Sequence, residues 1–183
     1  MTPHLLTSRL VLDVAPSTFT SSLLDRVGAR RVVRMDFDPA ADQRDVNLRA
    51  SLTRIPLPSA SVDLMICFHV LEHVPDDASA LGEIGRVLSS GGLALVQVPW
   101  RPGLATDEDP SAPAPERVRR FGQADHVRYY GGDFEDRLVA SGLHSLRVTP
   151  NTLVGARSAQ RFGLRGDDAV WLLRRPGAGS PAA

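Results

Sequence analysis

The sequence predicts an α/β protein with a mostly parallel sheet of six or seven strands and helices on both faces. Short apolar runs alternate along the chain with stretches of helical periodicity. Two of the runs, VDLMICF at 62–68 and LALVQV at 93–98, are almost wholly apolar, as strands covered on both faces must be. The intervening stretches are long enough to carry crossovers between parallel strands.

The elements follow in order. Residues 9–14 (RLVLDV) read as the first strand, stopped by Ala15-Pro16. Helical spacing at 17–27 puts Phe19, Leu23, Leu24 and Val27 on one face, and Gly28 ends it. Residues 31–35 (RVVRM) form the second strand and close in Asp36-Phe37-Asp38-Pro39, with a weak third strand at 45–48. A proline-punctuated connection at 55–61 leads into the central strand at 62–68. Asp76 or Asp77 caps a helix whose Ala80, Leu81, Ile84, Val87 and Leu88 form a buried stripe. Gly91-Gly92 stops that helix before the strand at 93–98. Residues 99–115 hold five of the fourteen prolines and predict a long exposed loop of the kind that forms a binding edge. A helix at 132–141 and strands at 143–149 and 169–174 complete the pattern. One domain over 1–175 and a disordered tail at 176–183 are expected.

Composition limits the function classes. The 21 cations balance 21 acids, and the halves of the chain carry only −2 and +2 (nine against eleven, then twelve against ten). That balance argues against nucleic acid or a membrane surface as partner. Every cation is arginine, which excludes a Schiff-base or phosphate-loop lysine. The lone Cys67 excludes a disulfide framework and a multi-cysteine zinc site, and its apolar strand predicts inert core. No apolar run reaches the ~18 residues of a membrane span, and the first residues lack a signal-peptide pattern, so a cytoplasmic location is expected.

The stretch IPLPSASVDLMICFHVLEHVPDD (55–77), followed by EIGRVLSSGGLALVQVP (83–99), resembles the class I S-adenosylmethionine-dependent methyltransferases of the small-molecule, Leu-Glu-His type. FGQADHVRYYGGD (121–133) and VLDVAPS (11–17) are similar to segments of one bacterial branch, whose first loop carries Ala-Pro-Glu. The resemblance spans about residues 9–175. It implies a Rossmann-like fold, S-adenosylmethionine as cofactor and a small-molecule acceptor, in a setting such as bacterial specialised metabolism. It also implies cofactor-facing roles for Asp13, Ala15 and Ser17 in the first loop, and for Asp36 toward the ribose. Ser51 and Leu52 fall at the adenine position, where the family places an aspartate, and Phe68 and His69 fall beneath the cofactor. The first loop has no glycine, so positive φ and close backbone approach are disfavoured there.

His126 and His69 are the candidate proton-transfer residues, because imidazole titrates nearest neutral pH. Arg128 is the candidate cation for an acidic substrate, Tyr129 a residue that closes over it, and Trp100 a substrate wall. The alternative for this segment is an Asp125–Arg128 ion pair with His126 behind it. Glu72 is expected to bond backbone amides and His73 to pack as a cap. The string His69-Val-Leu-Glu72-His73 spells H-x-x-E-H, a zinc-protease pattern that needs both histidines on one helical face and a third ligand. Its first histidine directly follows a strand and Pro75 interrupts the chain, so no metal ligand is assigned. The lack of a large substrate-binding insertion argues for a small acceptor, or for an oligomer, a homodimer in the simplest case, whose neighbour helps close the site. Two other readings keep the fold: a lyase, cyclase or isomerase working by histidine acid/base chemistry, and a non-catalytic scaffold partner.

Overall fold

The computed structural model describes residues 9–38, 45–165 and 168–176. The strands are β1 (Leu10–Val14), β2 (Arg31–Asp36), β3 (Leu48–Arg49), β4 (Val62–Phe68), β5 (Leu88–Gln97), β6 (Asp107–Glu108), β7 (Arg128–Tyr129), β8 (His144–Val148) and β9 (Val170–Arg174). The helices are α1 (Thr18–Arg26), α2 (Asp77–Val87), α3 (Ala114–Phe121), α4 (Phe134–Ala140), α5 (Pro150–Val154) and α6 (Ala156–Arg161). Seven strands form one sheet in the order β3-β2-β1-β4-β5-β9-β8. The strands from β1 to β5 pair in parallel, and β9 runs antiparallel to both its neighbours. The order reverses direction between β1 and β4, which opens a crevice at the carboxyl ends of these strands.

Both faces of the sheet are covered, as the apolar runs predict. Alternate residues of β1 and β4 feed different clusters: Leu12, Met65 and Cys67 pack with α2 and α4, whereas Val11 and Ile66 pack with Leu24 of α1. Each such side chain, fully buried, contributes about 1.5–3 kcal/mol relative to exposure. Asp76 caps α2 by accepting from the Ser79 N–H at 3.0 Å, and Ala80, Leu81, Ile84 and Val87 are buried as expected. Cys67 is buried, and burial holds its thiol protonated. Among the described residues no helix is long and apolar enough to cross a membrane.

Several local expectations change. The buried face of α1 is Thr20 and Leu24, while Phe19 is 67 % exposed. Ser17 and Thr20 form a reciprocal capping box at its start, and this sets the rotation of the helix. Helix α2 ends at Val87 rather than at the glycine pair, and β5 begins at once. The register of β4 and β5 breaks between Val62 and Leu64. There a Cβ on Gly92 would meet the Val62 carbonyl oxygen at 2.8 Å, so Gly91-Gly92 makes a strand irregularity instead of a helix stop. The third strand lies at Leu48–Arg49, later than expected. The proline-rich stretch carries β6, which pairs with β7 in a separate two-stranded sheet, and leads into α3. It is held down where Gly131 passes Leu104: a Cβ there would lie 2.2 Å from the Leu104 carbonyl oxygen. Helices α5 and α6 were not anticipated. Of the tail expected at 176–183, all but Pro176 lies outside the described residues, as does the segment 1–8.

Candidate active site

A cavity of about 940 Å³ opens at the carboxyl ends of β1, β2 and β4, beside the reversal of strand order. Seven of the eight cofactor positions expected from sequence line it: Ala15, Ser17, Asp36, Ser51, Leu52, Phe68 and His69. Each arrives through an element end. Ala15 and Ser17 occupy the turn between β1 and the cap of α1, and Asp36 ends β2. Ser51 and Leu52 follow β3, while Phe68 and His69 finish β4. The eighth, Asp13, is wholly buried within β1, and among the described residues neither carboxylate oxygen meets a hydrogen-bond donor. Burial pushes its pKa up.

The first loop departs from what its composition suggested. Ala15 adopts φ 51° although it is not glycine, and its N–H donates to the Met35 carbonyl at 2.8 Å. His69 adopts φ 55° at the end of β4, with its N–H on the Gln97 carbonyl at 2.9 Å. Positive φ at the cavity is thus supplied without glycine, held by main-chain bonds to neighbouring strands.

The His69 side chain is 55 % exposed, and its Nδ1 lies 3.1 Å from Glu72 Oε1. The hydrogen bond to Glu72 raises the His69 pKa above its ordinary value. Glu72 is wholly buried, and its second oxygen, Oε2, has no partner among the described residues. Its carboxylate therefore does not bond backbone amides as expected. Leu71–His73 form a single 3-10 turn, so the H-x-x-E-H string does not lie along an α-helix.

The other expected catalytic and substrate residues are placed elsewhere. His126 is 4 % exposed, does not line the cavity, and has its Nδ1 3.1 Å from the Phe121 carbonyl oxygen. It sits behind His73, ring edge to ring face at 4.6 Å, so it is not in reach of a molecule in the cavity. Arg128 is 1 % exposed, and its guanidinium donates to the carbonyls of Leu71, Val74 and Pro75 and to Glu108. It clamps the segment after β4 and has no face left for an acidic substrate. Asp125 pairs with His73 at 3.2 Å, not with Arg128. Trp100 donates from Nε1 to the Gly131 carbonyl and packs on Trp171, away from the cavity. The Tyr129 ring is covered by Arg101, 3.8 Å from the ring centre, and does not line the cavity. None of the three expected substrate residues lines the cavity: Arg128 turns to the segment after β4, Trp100 to Trp171 and Tyr129 to Arg101.

Sequence reasoning missed His73, Asp125, Phe19 and Phe37 as cavity residues. Phe19 and Phe37 are 67 % and 72 % exposed, an uncommon state for aromatic side chains. A readable sign was Phe37, flanked by Asp36 and Asp38 immediately after a strand.

Residues 12–96 match the family model described as a methyltransferase domain. A Mycolicibacterium smegmatis protein named "Probable S-adenosylmethionine-dependent methyltransferase" is 41 % identical over 93 residues, which cover 45 % of this chain and 36 % of that protein. A Mycobacterium tuberculosis protein, "Probable S-adenosylmethionine-dependent methyltransferase Rv3030", is 35 % identical over 115 residues, covering 57 % of this chain and 42 % of its own. The match thus spans about two-fifths of the length of these curated relatives. The YcgJ protein of Bacillus subtilis shares the fold with a TM-score of 0.63 at 16 % identity, over 96 % of both chains. The similarity to methyltransferase domains thus falls on residues 12–96, which carry the parallel strands and the reversal of strand order beside the cavity.

Proposed function

We propose that the protein transfers a methyl group from S-adenosylmethionine to a small-molecule acceptor within this cavity. The observation that supports it most is the convergence of seven expected cofactor positions, from four separate chain segments, on one cavity of about 940 Å³. That volume suits a cofactor together with a small acceptor. The residues fit the cofactor chemically. Asp36 offers a carboxylate at the end of β2 for the ribose hydroxyls. Ser51 offers a hydroxyl for the adenine, without the charge of the family's usual aspartate. Ala15 and Ser17 bring the turn after β1 to the cavity, where the methionine end of the cofactor would lie.

When bound, S-adenosylmethionine supplies an electrophilic methyl group. The chain's own part is to hold the acceptor in line and keep water out. Phe19 and Phe37 line the cavity while still largely exposed, and provide apolar faces for the acceptor. His69 is the candidate residue to take the acceptor's proton, through Nε2, since Nδ1 is engaged by Glu72. The acid/base-only alternative loses support, because His126 does not reach the cavity.

Calorimetric titration with S-adenosylmethionine and S-adenosylhomocysteine tests the reading. Micromolar binding is expected, and Asp36→Ala should weaken it by at least about 1 kcal/mol, roughly five-fold. Binding that is absent or only millimolar would overturn the methyltransferase assignment. An unchanged affinity in the variant would displace the ribose site from Asp36.

A further inference from the structure

Behind the cavity wall, Glu72, His73 and His126 bring one ligand-type atom each to within 4.8 Å of one another. The groups come from two segments more than fifty residues apart. Main-chain and arginine contacts fix those segments together: the Val127 N–H donates to the Glu72 carbonyl at 2.9 Å, and Arg128 holds Leu71, Val74 and Pro75. We propose that this cluster is a binding site for a divalent transition-metal ion of the zinc class, bordering the cavity through His73.

Three independent features support it. The first is the unpartnered Oε2 of Glu72 on a wholly buried side chain. A buried carboxylate oxygen with no donor is costly, and a cation beside it removes that cost. The second is the outer arrangement of the imidazoles. His73 Nδ1 faces Asp125 Oδ2 at 3.2 Å, and His126 Nδ1 faces the Phe121 carbonyl oxygen at 3.1 Å. The Phe121 carbonyl bonded at Nδ1 fixes the His126 proton there and leaves its Nε2 lone pair for a metal, the usual outer support of a ligating histidine, and the Asp125 carboxylate sits as a neighbouring charge on the Nδ1 side of His73. Glu72 has a matching outer partner in His69, on Oε1. The third is the donor set: two neutral imidazoles and one carboxylate suit zinc, cobalt or iron(II) better than magnesium or calcium, which favour all-oxygen sites.

The site differs from the zinc-protease pattern spelled by the sequence, since His69 supports a ligand and the third ligand is the distant His126. Three protein ligands leave room for water, or for an oxygen atom of a molecule in the cavity that His73 lines. His73, with a third of its side chain exposed, gives the ion a path in. The proposal does not depend on methyl transfer.

The full chain, stripped with chelator and dialysed, is titrated with Zn²⁺ by calorimetry and with Co²⁺ by visible absorption. One equivalent per chain is expected to bind, with cobalt d–d bands of a low-coordinate site. His126→Ala and His73→Ala should each remove this stoichiometric binding. Asp125→Asn, at an outer partner, should weaken it by about 10-fold or more. His73 is partly open to solvent, so His73→Ala reports even where a variant at a buried member fails to fold. His144→Ala, at an exposed residue on β8, should bind as the unaltered protein does. No zinc binding, or binding that survives in both His73→Ala and His126→Ala, would overturn the proposal. S-adenosylhomocysteine affinity measured on the same metal-free samples reports separately on the methyltransferase reading.

Discussion

Ala15 and His69 are both left-handed non-glycine residues, at φ 51° and 55°, and both line the same cavity. For an L-residue with a Cβ that conformation costs roughly 1–2 kcal/mol, and strain of this kind gathers where a surrounding frame holds it in place. The frame here is visible: main-chain bonds from Ala15 to Met35 and from His69 to Gln97 anchor each residue to an adjacent strand. The two positions differ in what their side chains do. The His69 ring bonds Glu72, whereas the Ala15 side chain is a methyl group with no donor or acceptor. Ala15→Gly should therefore stabilise the protein by about 1 kcal/mol, read as a higher urea midpoint at unchanged slope. A loss of stability would mean that packing of the methyl outweighs the backbone strain.

At the scale of elements, β6, β7 and α4 are joined by a charge network that no local pattern announces. Glu108 of β6 accepts from Arg128 of β7 at 3.0 Å and from Arg137 of α4 at 2.8 Å. Arg137 also pairs with Asp77 at the start of α2 at 3.0 Å, and Tyr130 donates to the same carboxylate at 2.9 Å. Hydrogen bonding from Arg137, with a further bond from Arg128, holds the Glu108 pKa below the ordinary carboxylate range. A depressed folded-state pKa gives stability that is fully present above the unfolded value, roughly pH 4.3. It is lost as pH falls through the folded value. Urea unfolding between pH 7 and pH 3 should show a fall below about pH 4.3 that Glu108→Gln makes shallower. Equal acid slopes in the two proteins would show that the bonds carry no net stability. The same elements show where sequence stops being informative. The strands β4 and β5 were legible because burial on both faces demands unbroken apolar runs. The capping aspartate of α2 was legible because its partner is three residues away. The cavity residues at strand ends were legible through topology, since residues after parallel strands meet at one edge. Arg128, Trp100 and His126 were misplaced because their partners are distant: the Leu71 carbonyl is 57 positions from Arg128. A two-residue strand such as β7 has no periodicity to read.

For the whole molecule, the cavity ties together segments that contribute differently to stability. Ala15, Asp36, Ser51 and His69 come from the ends of β1 and β2, the bridge after β3 and the end of β4. Of these strands, β1 and β4 are central, while β3 is a two-residue edge strand held through Met35–Leu48 and Asp36–Arg49 pairing. A ligand that contacts all four segments can bind only when the edge is docked, so its binding free energy adds to the stability of the assembled sheet. If S-adenosylhomocysteine binds as proposed, a concentration one hundred times its dissociation constant should stabilise the folded chain by about 2.7 kcal/mol. For a chain of this size, that corresponds to a rise in melting temperature of roughly 5–10 °C. Asp36→Ala at the same ligand concentration should lose about 1 kcal/mol of this stabilisation, close to a third of the rise. Both shifts are read by thermal unfolding with and without ligand. A full rise that Asp36→Ala leaves intact would mean that ligand binding reaches the sheet through β1 and β4 alone. No rise would mean that the cavity does not hold this ligand.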